Sequence, residues 1–165
     1  LGAVGAACTP LYLDCSVTAI DRPSGWLYRR YMLNGLCDTY AHVAARHALP
    51  LSVAEARRIR TIRDWDRLTI VPRFGFSSAE DYYRRAGVGG RLGELRVPAL
   101  LVAAEHDPML PREAISRGLD GAPDHWHLRW VSRGGHLAFS AGLDLGEAEA
   151  PRGLEGQLLG WLLRQ

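Results

Sequence analysis

Pro98-Ala99-Leu100-Leu101-Val102-Ala103-Ala104-Glu105-His106-Asp107-Pro108 is the stretch that decides the fold. An unbroken apolar run closed by polar residues predicts a strand buried on both faces, as in a parallel sheet. Pro98 is tolerated because it stands near the strand's start. Working outward, Trp126-His127-Leu128-Arg129-Trp130-Val131 predicts another strand, and it leads into Gly134-Gly135-His136. Both strands thus deliver polar residues just past their carboxyl ends, where open parallel sheets place their chemistry. An acid followed by a histidine matches the last two members of a Ser…Asp…His order. None of the serines (Ser16, Ser24, Ser52, Ser77, Ser78, Ser116, Ser132, Ser140) stands in G-x-S-x-G, the strained elbow that exposes a nucleophile.

The rest of the chain supplies helices around these strands. Leu1 to Cys8 reads as a buried opening strand already in progress. A short helix over Leu13 to Ile20 ends at the breakers Asp21 to Gly25, and a longer one runs from Trp26 to about His47, closed by Leu49-Pro50. Ser52 and Glu55 have the capping-box spacing for a further helix. Thr61 to Leu68 predicts another short helix, and Ile70 to Phe76, aperiodic and aromatic, predicts a packed loop. Ser77 or Ser78 caps a helix running to Gly87, and Gly87 to Gly93 reads as a flexible connection to a strand over Leu95 to Ala104. Pro111 fits the first turn of the next helix. Leu154, Leu158, Trp161 and Leu162 define the buried stripe of a terminal helix. The order is strand, long helical excursion, strand, helix, strand, helix: an α/β arrangement whose first crossover is far longer than the usual dozen or more residues. An insertion of this kind is typically a lid or cap.

With 47% hydrophobic and 23% charged residues in 165, the chain has material for a globular core, and a folded domain is expected. All twenty basic residues are arginine, which fits a GC-rich genome. Arg57, Arg58, Arg60, Arg63 and Arg67 alternate with Glu55, Asp64 and Asp66, a solvated, ion-paired helix surface with no nucleic-acid footprint. Cys8, Cys15 and Cys37 are odd in number and lack C-x-x-C spacing. Neither a disulfide framework nor a zinc site is indicated, and small buried thiols are expected. No run approaches the roughly 20 apolar residues of a membrane helix. No secretory leader pattern opens the chain, and a cytoplasmic location is expected. No cofactor motif is present.

A histidine acting as general base needs an oriented ring and a stabilised cation, and a buried carboxylate on its far nitrogen supplies both. Asp107 and His136 are the candidate catalytic residues. Glu105 and His106 compete from the same loop. His125 and His127 lack a third ligand with suitable spacing and are read as strand-face residues. His42 and His47, five apart on the long helix, are read as structural. Gly134-Gly135 allows a sharp bend beside the imidazole. The aromatics Trp26, Tyr28, Tyr31, Tyr40, Trp65, Phe74, Phe76, Tyr82 and Tyr83 could line an apolar pocket, although core packing is the default for most of them. Substrate-binding residues are not identified.

Ile62-Arg63-Asp64-Trp65-Asp66, Tyr82-Tyr83-Arg84, Val97-Pro98-Ala99-Leu100-Leu101, His106-Asp107-Pro108, Gly134-Gly135-His136 and Trp26-Leu27-Tyr28-Arg29-Arg30-Tyr31 resemble the YheT-like branch of the α/β-hydrolase superfamily. The resemblance implies the C-terminal part of an α/β-hydrolase fold: residues 1–10 as a core strand, 11–93 as a helical cap insertion, and 94–165 as the rest of the core. It implies that Asp107 is the triad acid and His136 the base of a serine hydrolase acting on small-molecule or lipid carboxylic esters. On that reading the nucleophile serine belongs to a missing N-terminal half, and the 165 residues alone have no turnover. A noncatalytic interaction module and an acyltransferase on the same fold are the alternatives.

Overall fold

The computed structural model describes residues 2–119, 122–136 and 138–165. Leu1, the first residue of the expected opening strand, lies outside them. Two compact units form, one from residues 1–11 and 88–165 and the other from residues 12–87.

The first unit is built on a parallel sheet of β1 (Val4–Ala7), β2 (Ala99–Ala104) and β3 (Trp126–Val131), in the order β1-β2-β3. Ala7 stands opposite Val102, and Ala104 opposite Val131. β2 is buried at every position because it is central and both its faces are covered, which explains the apolar run. β1 is only partly buried, because among the described residues it pairs with β2 alone. Helix α8 (Leu154–Leu163) covers one face, where Leu158 and Leu162 lie against Gly5, and Trp161 packs with Leu100 and Val102. Helix α7 (Arg112–Leu119) follows Pro111 and buries Ala114 and Ile115. Parallel strands with flanking helices and a helical insertion in sequence between β1 and β2 make an α/β-hydrolase-like core.

Two local features of this unit differ from expectation. Gly89–Glu94 winds as a 3₁₀ helix where a flexible connection is expected, and the strand begins at Ala99 rather than Leu95. Pro98 explains the later start, since it has no N–H to donate to a ladder. Past β3, Gly134–Gly135 (β4) and Ala138–Phe139 (β5) form a small antiparallel pair that two-residue runs do not announce in sequence.

The second unit is helical: α1 (Leu13–Asp21), α2 (Trp26–Ala44), α3 (Val53–Ala56), α4 (Ile62–Trp65), α5 (Val71–Phe74) and α6 (Ala79–Ala86). The Ser52–Glu55 capping box is complete at α3. Tyr40 locks the α2–α3 connection: its hydroxyl donates to the Leu51 carbonyl and accepts from the Leu51 N–H, each at 3.0 Å. Between α4 and α5 the chain makes a π-type turn, Asp66–Ile70, so the expected loop over Ile70 to Phe76 is instead helical as far as Phe74. Pro72 lacks an N–H and its ring would crowd the carbonyl four residues back in a regular helix, and a wider turn relieves that conflict.

Charges in this unit follow the expected pairing only in part. Arg67 pairs with Asp64 at 3.0 Å, Arg57 with Asp38 at 3.5 Å, and Arg63 with Glu80. Asp66 is no surface acid: it is buried and accepts a 2.7 Å hydrogen bond from the Tyr83 hydroxyl. The aromatics divide too. Tyr40, Trp65 and Tyr83 are core, whereas Trp26, Tyr28, Tyr31 and Phe74 are exposed.

Candidate active site

Parallel register brings the strand ends together regardless of sequence separation. The Cys8 N–H donates to the Val102 carbonyl at 2.8 Å, and the Glu105 N–H donates to the Val131 carbonyl at 3.0 Å. These two bonds carry the ladder one residue past β1 and β2, and they set where each chain leaves the sheet.

Asp107 is the residue that the loop after β2 turns inward. Its neighbours point elsewhere: His106 is exposed, and Glu105 lies 3.7 Å from Arg112. One carboxylate oxygen of Asp107 accepts the N–H groups of Met109 (2.8 Å) and Leu110 (3.0 Å). This is the local turn an aspartate makes with backbone two and three residues on, and Pro108 suits it. The other oxygen lies 2.9 Å from His136 Nδ1, whose N–H donates to it. The Asp107 side chain is fully buried, while that of His136 is 32% exposed. The imidazole is therefore oriented from inside with its far edge toward solvent.

The turn that presents His136 depends on backbone freedom. Gly134 has φ +127°, and a Cβ there would stand 2.8 Å from the Ala138 carbonyl oxygen, so this position accepts glycine alone. Gly135 makes no such demand; a Cβ there would meet Pro108 at an ordinary 3.8 Å. His136 itself has φ +26°, and Cys8 has φ +44°. Non-glycine residues in this region are strained by about 1–3 kcal/mol each, and they persist where surrounding contacts hold them.

Cys8 is the member of the cluster that sequence reasoning missed. Its sulfur, one Asp107 oxygen and one His136 nitrogen all lie within 4.8 Å of one another. The expectation of a buried thiol is correct, and the only sequence signal of more was its place one residue past a strand end. Burial pushes the thiol up to about 11, with the hydrogen bond to Asp107 and that residue's charge adding to the rise and the Ala104 backbone opposing it. An activated cysteine nucleophile needs a lowered pKa. Cys8 is therefore a protonated donor to Asp107 at neutral pH.

The other histidines stay outside this cluster. His125 Nε2 lies 2.9 Å from the Leu95 carbonyl, His127 packs edge-on to Trp161, and His42 Nδ1 lies 2.7 Å from the Asp38 carbonyl. His127 lies on β3 as expected, whereas His125 stands in the turn just before that strand rather than on its face. Among the described residues no helix is long and apolar enough to cross a membrane.

The chain is similar to proteins named as esterases and lipases. The chain is 27% identical over 155 residues to "Putative esterase YheT" of Escherichia coli (strain K12), covering 93% of this chain and 44% of that protein. It is 26% identical over 127 residues to Phospholipase ABHD3 of Mus musculus, covering 76% of this chain and 31% of the relative. Over 83 residues it is 31% identical to Monoacylglycerol lipase of Saccharomyces cerevisiae, covering 50% and 18%. The chain thus spans less than half the length of these relatives. No family model matches it, and no solved structure matches it. The fold, the acid–histidine pair and these likenesses together define a chain homologous to the esterases and lipases of the α/β-hydrolase superfamily.

Proposed function

We propose that this chain carries the acid and base of a serine hydrolase acting on carboxylic esters, within the YheT-like branch. The observation that carries the reading is the 2.9 Å hydrogen bond between a partly exposed imidazole and a wholly buried carboxylate at adjacent strand ends. Asp107 orients His136 and stabilises the imidazolium that forms during the reaction. His136 Nε2 takes the proton of a serine hydroxyl as that oxygen attacks the ester carbonyl, then returns it to the departing alcohol. Water repeats the cycle on the acyl-enzyme. None of the eight serines present occupies an elbow motif, so this reading takes the attacking hydroxyl from outside these residues. Residues 11–93 act as a cap that selects the substrate, and the phospholipase and monoacylglycerol lipase relatives favour lipid or other apolar esters.

The test is ester hydrolysis by the product of the whole coding sequence, which this reading requires to carry an elbow serine. His136→Ala abolishes turnover of a p-nitrophenyl ester while circular dichroism shows a folded protein. Retained turnover overturns the assignment. Product that forms only when an alcohol acceptor is added identifies acyl transfer instead of hydrolysis.

A further inference from the structure

Cys8, Asp107 and His136 arrive from three separate strand ends, with one potential ligand atom of each within 4.8 Å of the others. Thiolate sulfur, carboxylate oxygen and imidazole nitrogen are the ligand types that zinc takes in proteins. Tetrahedral zinc with bonds of about 2.0–2.3 Å sets neighbouring ligand atoms roughly 3.3–3.7 Å apart. The 2.9 Å between His136 Nδ1 and Asp107 lies below that spacing and the whole set lies within 4.8 Å, so a bound cation requires the pair to separate by about 0.4–0.8 Å.

Charge and support also fit. One thiolate and one carboxylate neutralise a divalent cation, and a buried site with no net charge avoids the cost of holding unpaired charge away from water. The Met109 and Leu110 amides already grip Asp107 from behind, the kind of outer hydrogen bonding that orients ligating carboxylates. Three protein ligands leave one position open.

We propose that Cys8, Asp107 and His136 form a binding site for a zinc-class divalent cation. On binding, metal–sulfur, metal–oxygen and metal–nitrogen bonds form. The thiol proton leaves to solvent, and the neutral imidazole moves its remaining proton from Nδ1 to Nε2, so one proton is released per cation. The Asp107–His136 hydrogen bond is broken in the process, and the metal-bound and hydrogen-bonded forms are alternative states of one cluster. Magnesium and calcium, which take oxygen ligands, are excluded by the sulfur and nitrogen donors. Binding itself does not depend on the hydrolase reading; only if that reading holds does the cation also block the general base.

Cobalt(II) is the probe, because thiolate ligation gives it a near-ultraviolet charge-transfer band. The reduced, metal-free 165-residue chain is titrated with cobalt. The band is expected to saturate at one cobalt per chain, to vanish on adding zinc and to survive added magnesium. Cys8→Ser removes it, whereas Cys15→Ser and Cys37→Ser keep it. His136→Ala weakens cobalt binding by about tenfold or more, since even outer partners of metal ligands are worth that much. No band in the parent chain, a band that persists in Cys8→Ser, or a band lost in Cys37→Ser overturns the proposal. If Cys8→Ser does not fold, the count of protons released per cobalt decides: one supports the site and none overturns it. The readout is optical, so its failure leaves the ester-hydrolysis test untouched, and failure of that test leaves the cobalt result standing.

Discussion

Asp107 and Asp66 are both buried carboxylates, yet their surroundings differ in the number of donors that reach them. Asp107 receives two backbone N–H groups and an imidazole N–H, with the Cys8 thiol beside it. Asp66, in the wide turn after α4, receives one tyrosine hydroxyl. Burial pushes Asp66 up to about 6, aided by the charge of Asp21 and opposed by the Tyr83 hydrogen bond and Arg63. Tyr83 is pushed up in turn by burial and by Asp66. Burial alone therefore does not mark a site. Asp107, held by backbone donors at a strand end, meets a partly exposed imidazole, whereas Asp66 meets a core tyrosine.

The largest effect separates the two in activity. On the proposed hydrolase reading, Asp107→Asn is expected to lower kcat by about 10⁴-fold, the cost of losing the imidazole's orienting carboxylate, while Asp66→Asn leaves kcat within about threefold. Steady-state kinetics on one ester reads both. Equal losses would erase the distinction.

Next in size is the pH dependence of stability. The fold raises the Asp66 pKa from its ordinary 3.8 to about 6, so it favours the protonated form. That contribution is fully present below about pH 3.8 and is lost as pH rises through 6. It amounts to about 2–3 kcal/mol over the window. Denaturant unfolding at pH 4 and pH 7 should show this loss, and Asp66→Asn should remove it. A slope unchanged in Asp66→Asn would assign the dependence to other groups.

Removing the donor sharpens the same contrast. Tyr83→Phe leaves Asp66 without its hydroxyl and should cost about 1–3 kcal/mol at pH 7, and less at pH 5, where the carboxyl is mostly protonated. Urea midpoints at the two pH values check this. The smallest effect lies away from both acids: Ser52→Ala breaks the capping box at α3 and should cost about 1 kcal/mol by the same measurement.

How far the sequence reached depended on whether the signal was local. The apolar run of β2 and the Ser52–Glu55 box are written in nearby residues and form as expected, whereas of the terminal-helix stripe Trp161 is buried and Leu154, Leu158 and Leu162 are only partly so. Asp107 and His136 were legible because each follows a strand within a few positions. The helical path through Pro72 was not, because a π-type turn has no pattern of its own and a proline ordinarily signals a break. Asp66 was misread as a surface acid since it stands among arginines and only the fold places Tyr83 beside it.

The sequence by itself determined the parallel strands, the helices around them and the pairing of an acid with a histidine, because periodicity and strand-end position are properties of neighbouring residues. Only the tertiary structure brought Cys8 to that pair. Parallel register aligns the carboxyl ends of strands whatever their separation along the chain, so residues 8, 107 and 136 share one cluster although no spacing in the sequence connects the first with the others.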